Sequence, residues 1–331
     1  MNALRRPFHR VPRSLVRAAL VAAAAVLIAV AALHFRSTLP SLSQIGRPAP
    51  QWLALALVAQ LASLLAYALI VRELLGVRGV SARARELLRA TVGGIAIGAS
   101  LPGGQALSTA YWYRLLRQEG ATPGVAAVAL AGSMLAGIAS LSGVLVLGVA
   151  VAGDTGPTAR IRLPILIGAA AAVALRVAFG RHLARLARNA ISRFTPVPVD
   201  ELALRGRPLL QIAGLAYLNW LLDCVCLLAS LLAVGAHVPL RSVLLTYALA
   251  QVVASIPLLP GGGGTVEVTL SLGFAAFGHT SGAIVAGVLL FRLISCWGLI
   301  PIGWAAVALG GRRLPRKINV FAAPSYSAAS Q

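Results

Sequence analysis

Long apolar stretches separated by short arginine-rich connections run through most of this chain. Continuous apolar runs lie at about 16–34, 51–71, 123–150, 161–180, 208–235 and 281–309. Each is near or above the ~20 residues a helix needs to cross ~30 Å of hydrocarbon. Two further apolar regions, 86–117 and 242–278, are interrupted by a breaker, the tetrapeptide Leu-Pro-Gly-Gly at 101–104 and again at 259–262. The pattern predicts an all-α polytopic membrane protein.

The two breakers belong to a longer match. Gly120, Thr122 and Gly124 recur as Gly278, Thr280 and Gly282 at the same offset of 158 residues that separates Leu101 from Leu259. Each copy has an apolar run, the breaker, a helical run, a glycine turn and a further apolar helix. The reading is a duplication, with repeat 1 at about 86–150 and repeat 2 at about 242–309. Breakers in corresponding places of two halves point to a transporter's central site.

Whether the broken regions cross the membrane or turn back depends on backbone and charge. Pro102-Gly103-Gly104 and Pro260 with its four glycines cannot hold a helical ladder. Such backbone is tolerated at depth only inside protein or a wet cavity, and each limb, at about 15 residues, is short for a crossing. Lys and Arg of short loops stay on the cytoplasmic side. With two re-entrant hairpins, only Arg36, Arg47, Arg160, Arg162 and Arg241 fall on the opposite side among the basic residues outside the spans. Full crossing would also move Arg114 and Arg117 outward, so charge prefers re-entry only modestly. About six full spans plus two re-entrant hairpins is the expected architecture, and it makes the repeats inverted in topology. Residues 1–15 then form a basic cytoplasmic N-terminus, 16–310 the membrane domain and 311–331 a disordered cytoplasmic tail. The segment from Val16 to Phe35 resembles a signal sequence in outline but is long for one, and it fits as a first span.

Composition narrows the function classes. The chain is 59% hydrophobic and 11% charged, with a mean hydropathy of +0.86, outside the range of soluble domains. In a soluble chain the net charge of +21 would suggest nucleic acid. Here the arginines sit between spans, and no nucleic-acid partner is expected. Lys317 is the sole lysine among 29 basic residues, a GC-rich coding pattern that hints at a bacterial source. Cys224, Cys226 and Cys296 lie inside apolar runs without metal spacing and read as packed thiols. No cofactor, no metal and no catalytic set emerges.

Ionisable side chains at depth cost ~2.5–3.5 kcal/mol or more and require explanation. Three stand out: Asp223, Glu267 and Arg292. Glu267 and Arg292 are equally spaced from the turn at Gly278–Ser281, roughly 17–19 Å from it at ~1.5 Å per residue, and should meet. Either a structural salt bridge or a site for a head group or coupling ion would account for them. Their counterparts in repeat 1, Thr109 and Met134, carry no charge. Backbone N–H groups beside Gly103, Gly104, Gly261, Gly262 and Gly264 could face an anion at a half-helix start. Tyr111, Trp112 and Tyr113 beside Arg114 read as an interfacial anchor or as the wall of a head-group vestibule. The candidate substrate-binding residues are thus Pro102, Gly103, Gly104, Tyr111, Tyr113, Arg114, Asp223, Pro260, Gly261, Gly262, Gly264, Glu267 and Arg292.

With these residues in view, the chain resembles the flippase-like, lysylphosphatidylglycerol synthase transmembrane-region family. Pro260-Gly261-Gly262-Gly263-Gly264-Thr265-Val266-Glu267 is similar to the family's Pro-Gly-Gly-(Leu/Ile)-Gly-x-x-Glu. Phe291-Arg292 followed by Trp297 resembles its later (Tyr/Phe)-Arg and Trp. Leu101 to Gly104, Tyr113-Arg114 and Gly120 look like the matching half. Gly263 departs from the family's bulky aliphatic, and 123–150 lacks the Glu-Arg pair common there. The resemblance covers about 86–310 and implies movement of lipids between leaflets, with aminoacyl transfer belonging to a separate soluble domain. The expected function is a non-enzymatic transporter of an anionic or glyco-lipid in a bacterial inner membrane, with both termini cytoplasmic. Its partners would be membrane lipids, a second copy of the chain or an envelope-building enzyme. A membrane-embedded lipid head-group transferase, or a non-catalytic partner of an envelope-building enzyme, is the alternative.

Overall fold

The computed structural model describes residues 48–101, 103–152, 206–254 and 265–311. Runs 16–34 and 161–180, both terminal segments, Pro102 and the glycine run 260–264 lie outside the described residues. Within them the chain is helical throughout. Helices α1 (Pro50–Gly76), α2 (Ala84–Ser100), α3 (Gly104–Gln118) and α4 (Pro123–Ala152) are followed by α5 (Arg207–Ala233), α6 (Leu240–Ala254), α7 (Thr265–Ala276) and α8 (Gly282–Arg292). A π-helical turn, Leu293–Trp297, then leads into α9 (Leu299–Gly311).

Four continuous helical stretches are long and apolar enough to cross a membrane: Pro50–Gly76, Pro123–Val151, Arg207–Ala233 and Gly282–Leu309. They match four of the expected runs. At 27 residues, α1 and α5 are each about 40 Å long. Large apolar side chains point outward from them, among them Leu57, Val58, Leu61 and Leu65 on α1, Leu135 and Ile138 on α4, and Leu210 on α5. A soluble monomer rarely exposes so much contiguous apolar surface. In a membrane this belt is simply the lipid-facing wall.

The duplication read from the breakers is larger in three dimensions. Helices α1 to α4 and α5 to α9 follow the same order: a long apolar helix, two limbs of a hairpin, then a second long helical run. The ends of corresponding helices are closed by the same hydrogen bonds. Gly120 and Gly278 take φ of +92° and +81°, and the amides beyond them return to buried residues, Ala121 to Leu116 at 3.1 Å and His279 to Phe274 at 3.0 Å. These are Schellman closures, in which a glycine in the left-handed region lets the last carbonyls find donors. The first helices end alike, with Val80 bonded to Leu75 beyond Gly79 and Ala236 to Leu231 beyond Gly235.

Equivalent helices pack against each other in opposite directions. The amide of Ala49, at the start of α1, donates to the carbonyl of Ala233, at the end of α5, at 2.8 Å. Near the middle of the pair, Ser63 and Asn219 exchange bonds. The Ser63 hydroxyl donates to the Asn219 carbonyl at 3.1 Å, and the Asn219 amide donates to Ser63 at 2.9 Å. The offset of 156 that relates Gly79 to Gly235 also relates Ser63 to Asn219. A residue that touches its own equivalent lies on a two-fold axis. The remaining packing is reciprocal: α9 of the second half lies on α2 of the first, and α4 of the first lies on α6 of the second.

Small residues permit these crossings. A Cβ at Gly303 of α9 would run into the Val92 carbonyl and the Ala96 methyl of α2, and one at Gly148 of α4 would sit 3.1 Å from the Leu245 Cα of α6. Each half centres a core that the other half helps to close, Ala56, Ala59 and Val144 joining the second and Ile212 and Ala216 the first. Leu75, Leu87, Trp112 and Leu116 fill the first, and Leu231, Tyr247, Leu270, Phe274 and Phe291 fill the second.

Candidate functional site

The second half brings its charges together. Arg292 closes α8 and Glu267 lies in the first turn of α7, where the positive end of the helix favours a carboxylate. Arg292 Nε donates to Glu267 Oε1 at 2.7 Å, and both residues are buried, at 8% and 7% exposure. The equal spacing from the Gly278 turn does set the two level. Arg292 also reaches the Cys296 thiol, one turn on in the π segment, and stands within electrostatic range of Asp223.

Asp223 projects from the middle of α5 toward α6. Its Oδ2 accepts from the Tyr247 hydroxyl at 2.7 Å and from Gln251 Nε2 at 3.1 Å. Gln60 of α1 approaches the same carboxylate. Tyr247 is wholly buried and meets Phe291 edge-on, ring centroids 6.5 Å apart. Phe291 is covalently next to Arg292, so the aromatic contact links the tyrosine that bonds Asp223 to the residue preceding Arg292. Asp223, Glu267 and Arg292 therefore belong to a single polar cluster set in apolar packing, with neutral donors from α1 and α6.

Sequence reasoning missed Gln60, Tyr247 and Gln251. Tyr247 and Gln251 stand four apart and share a helix face. A polar pair at that spacing on an apolar helix was a usable signal.

The first half places its candidates differently. Gly103 holds φ at +66° and precedes α3. A Cβ at Gly104 would collide with the carbonyl oxygens of Ile97 and Gly98, so the hairpin limbs α2 and α3 meet through backbone. Tyr111 and Tyr113 pack on the first core, and half-buried Arg114 is on the same helix. Trp112 is only 5% exposed and meets Tyr67 edge-on at 5.9 Å, so it is a core residue and not an interfacial anchor. Thr109 is exposed and bonds its own helix at the Gln105 carbonyl, and Met134 is 60% exposed. Pro102, Pro260, Gly261, Gly262 and Gly264 lie outside the described residues. Cys224, Cys226 and Cys296 are buried free thiols, and among the described residues no cluster of metal-ligating side chains forms.

Parts of this sequence are similar to known proteins. A "UPF0104 membrane protein" of Methanothermobacter thermautotrophicus is 32% identical over 89 residues, 27% of each chain. The "Phosphatidylglycerol lysyltransferase" of Bacillus subtilis is 30% identical over 86 residues, 26% of this chain and 10% of that protein. The chain thus aligns with about a quarter of the first relative and a tenth of the second. The profile of the family described as "Lysylphosphatidylglycerol synthase TM region" matches residues 14–303, so with its apolar helices this multi-pass membrane protein belongs to that family.

Proposed function

We propose that the chain moves a lipid, anionic or glycosylated, between the leaflets of a bacterial inner membrane. One observation carries the reading: a buried charged cluster beside a helical hairpin, in a scaffold whose equivalent helices run antiparallel. Antiparallel halves can sit in a bilayer with inverted topology, the arrangement that gives secondary transporters a shared central site reached from either side. The two hairpins, α2–α3 and α6–α7, are then re-entrant and open toward opposite faces. Arg292 supplies a fork suited to a phosphate, and its bond to Glu267 holds that fork in place until a head group competes for it. A second copy of the chain or an envelope-building enzyme would be its protein partner.

Liposomes reconstituted with the purified chain and a labelled anionic lipid test the function. Movement between leaflets with no new covalent species is the expected result. The name of the Bacillus subtilis relative supports a second reading, transfer of a group to a lipid head. A new lipid species, formed with an aminoacyl donor present, would establish that reading and displace the first. For the topology, Arg114→Cys and His279→Cys in a chain cleared of native cysteines should be labelled from opposite sides. Labelling of both from one side would sink the inverted arrangement.

A further inference from the structure

The charges in the cluster do not balance. Asp223 and Glu267 bring two carboxylates, and Arg292 brings one guanidinium. Arg292 is bonded to Glu267 at 2.7 Å. The hydrogen-bond donors to Asp223 Oδ2, the Tyr247 hydroxyl and the Gln251 amide, are neutral. Among the described residues, the titratable groups facing the cluster are Tyr247 from α6, Cys224 and Cys226 from α5 itself, and Cys296 from the π turn. None of these adds a positive charge. Along α1 the charges Arg72 and Glu73 are confined to its last turns, α4 and α9 carry none through Gly311, and Arg241 on α6 is exposed.

A second observation points the same way. Glu267 Oε2 is buried and has no hydrogen-bond partner, and Gln60 Oε1, on a residue 5% exposed, has none either. Both orphans are acceptors, and the Gln60 side chain is directed at Asp223. An ordered water could donate to such oxygens, but it cannot offset charge. Asp223 is half-buried, and an ionised carboxylate without a counter-charge is disfavoured wherever water is largely excluded. A divalent ion would turn a surplus of one negative charge into a surplus of one positive charge, so the charge count fits a monovalent ion.

We propose that the Asp223–Glu267–Arg292 cluster binds one monovalent cation, a proton or Na⁺. Calling it the coupling ion of lipid movement rests on the transport reading, whereas binding itself does not. One positive charge both offsets the surplus carboxylate and meets the acceptors that lack donors. Uptake by the cluster would also loosen the hold of Glu267 on Arg292, because the guanidinium would no longer be the sole cation among the three. An anionic head group then finds the fork easier to engage when the ion is present, which is the reciprocity that coupling requires.

Infrared difference spectra of the full chain in lipid nanodiscs test binding without measuring transport. One arm steps the pH in choline buffer, and the other replaces choline by Na⁺ at constant pH. A proton predicts the carbonyl stretch of one protonated carboxyl per chain, absent in Asp223→Asn. Sodium predicts no such band, but a saturable shift of the carboxylate stretches at one Na⁺ per chain, again lost in Asp223→Asn. If that variant fails to fold, Asp223→Glu keeps a carboxyl at the position, and transfer of the signal from a ¹³C-aspartate to a ¹³C-glutamate label supports the site, whereas a signal that does not change label overturns it. A chain that shows neither signal, or whose signal survives Asp223→Asn, overturns it. Ion binding without lipid movement would refute the transport reading and leave the site standing.

Discussion

At matching positions past the breaker and past the glycine turn, the first half carries Thr109 and Met134 where the second carries Glu267 and Arg292. The backbone around them is alike, down to the glycine closures at Gly120 and Gly278. The surroundings are not. Thr109 and Met134 face outward, while Glu267 and Arg292 are buried in a cluster that recruits α1, α5 and α6. The duplicated scaffold supplies two places for a site, and only one was furnished with charge. Symmetry here belongs to the packing and asymmetry to the chemistry.

The largest break in that comparison should come from the charged pair. Removing one partner of a buried ion pair leaves an uncompensated charge and typically costs about 3–5 kcal/mol. Arg292→Gln should destabilise the chain on that scale, and Glu267→Gln by less because Asp223 still stands within electrostatic range of the guanidinium, both read as equilibrium unfolding in mixed micelles. Residues in contact do not act additively, so the double substitution should cost less than the sum of the two. Recovery of stability without recovery of lipid movement would assign Arg292 to the lipid as well as to the fold. Additive costs would show that the pair does not act as one.

How legible this was in advance can be judged residue by residue. Glu267 and Arg292 could be paired from sequence because both count from a turn that glycine fixes, and helical rise is constant. Four of the spans were equally plain, since apolar length alone specifies them. Asp223 could be placed at depth, but its partners could not. Tyr247 and Gln251 sit in a helix whose apolar character hides two polar residues, and which helix faces α5 is a matter of packing. Trp112 was misjudged because an aromatic beside arginine reads as interfacial, whereas Tyr67 of a distant helix encloses it. The full extent of the repeat was hidden by a register shift. The first helices correspond at an offset of 156 and the breakers at 158, so a fixed-offset reading loses α1 and α5, and with them the Ser63–Asn219 contact on the axis.

A smaller effect sharpens the comparison within the first hairpin. Gly103 and Gly104 are adjacent but needed for different reasons, one for its left-handed φ and the other for close approach of the limbs. A Cβ at Gly104 meets backbone oxygens, which cannot rotate away, so Gly104→Ala should force the limbs apart at about 1–3 kcal/mol, the range for overpacking. Proteolysis at the breaker should rise with it. An alanine tolerated there without cost would mean that the limbs do not meet through backbone.

The turn glycines should behave as a matched pair. At φ of +92° and +81°, an alanine at Gly120 or Gly278 would occupy the left-handed region at about 1–2 kcal/mol. Nothing lies within 4 Å of a Cβ at either position, so the strain is purely that of the backbone. The two costs should therefore agree within experimental error. Unequal costs would mean that the turns share hydrogen bonds without sharing an energetic role.

The smallest predicted effect is the most discriminating for the asymmetry. Thr109→Val and Met134→Leu change the repeat equivalents of the charged pair while leaving their size nearly constant. Thr109 spends its hydroxyl on its own helix, on the Gln105 carbonyl at 2.9 Å, and Met134 is 60% exposed. Surface changes of this kind usually fall within about ±0.5 kcal/mol. Singly and together they should leave both unfolding and inter-leaflet movement of the labelled lipid unchanged, with no coupling between them, because neither side chain is buried against a partner. If the double variant instead slowed lipid movement while unfolding stayed the same, the first half would hold a second, uncharged part of the path. The site would then be shared between the halves, and the charges in the second half would mark one end of it.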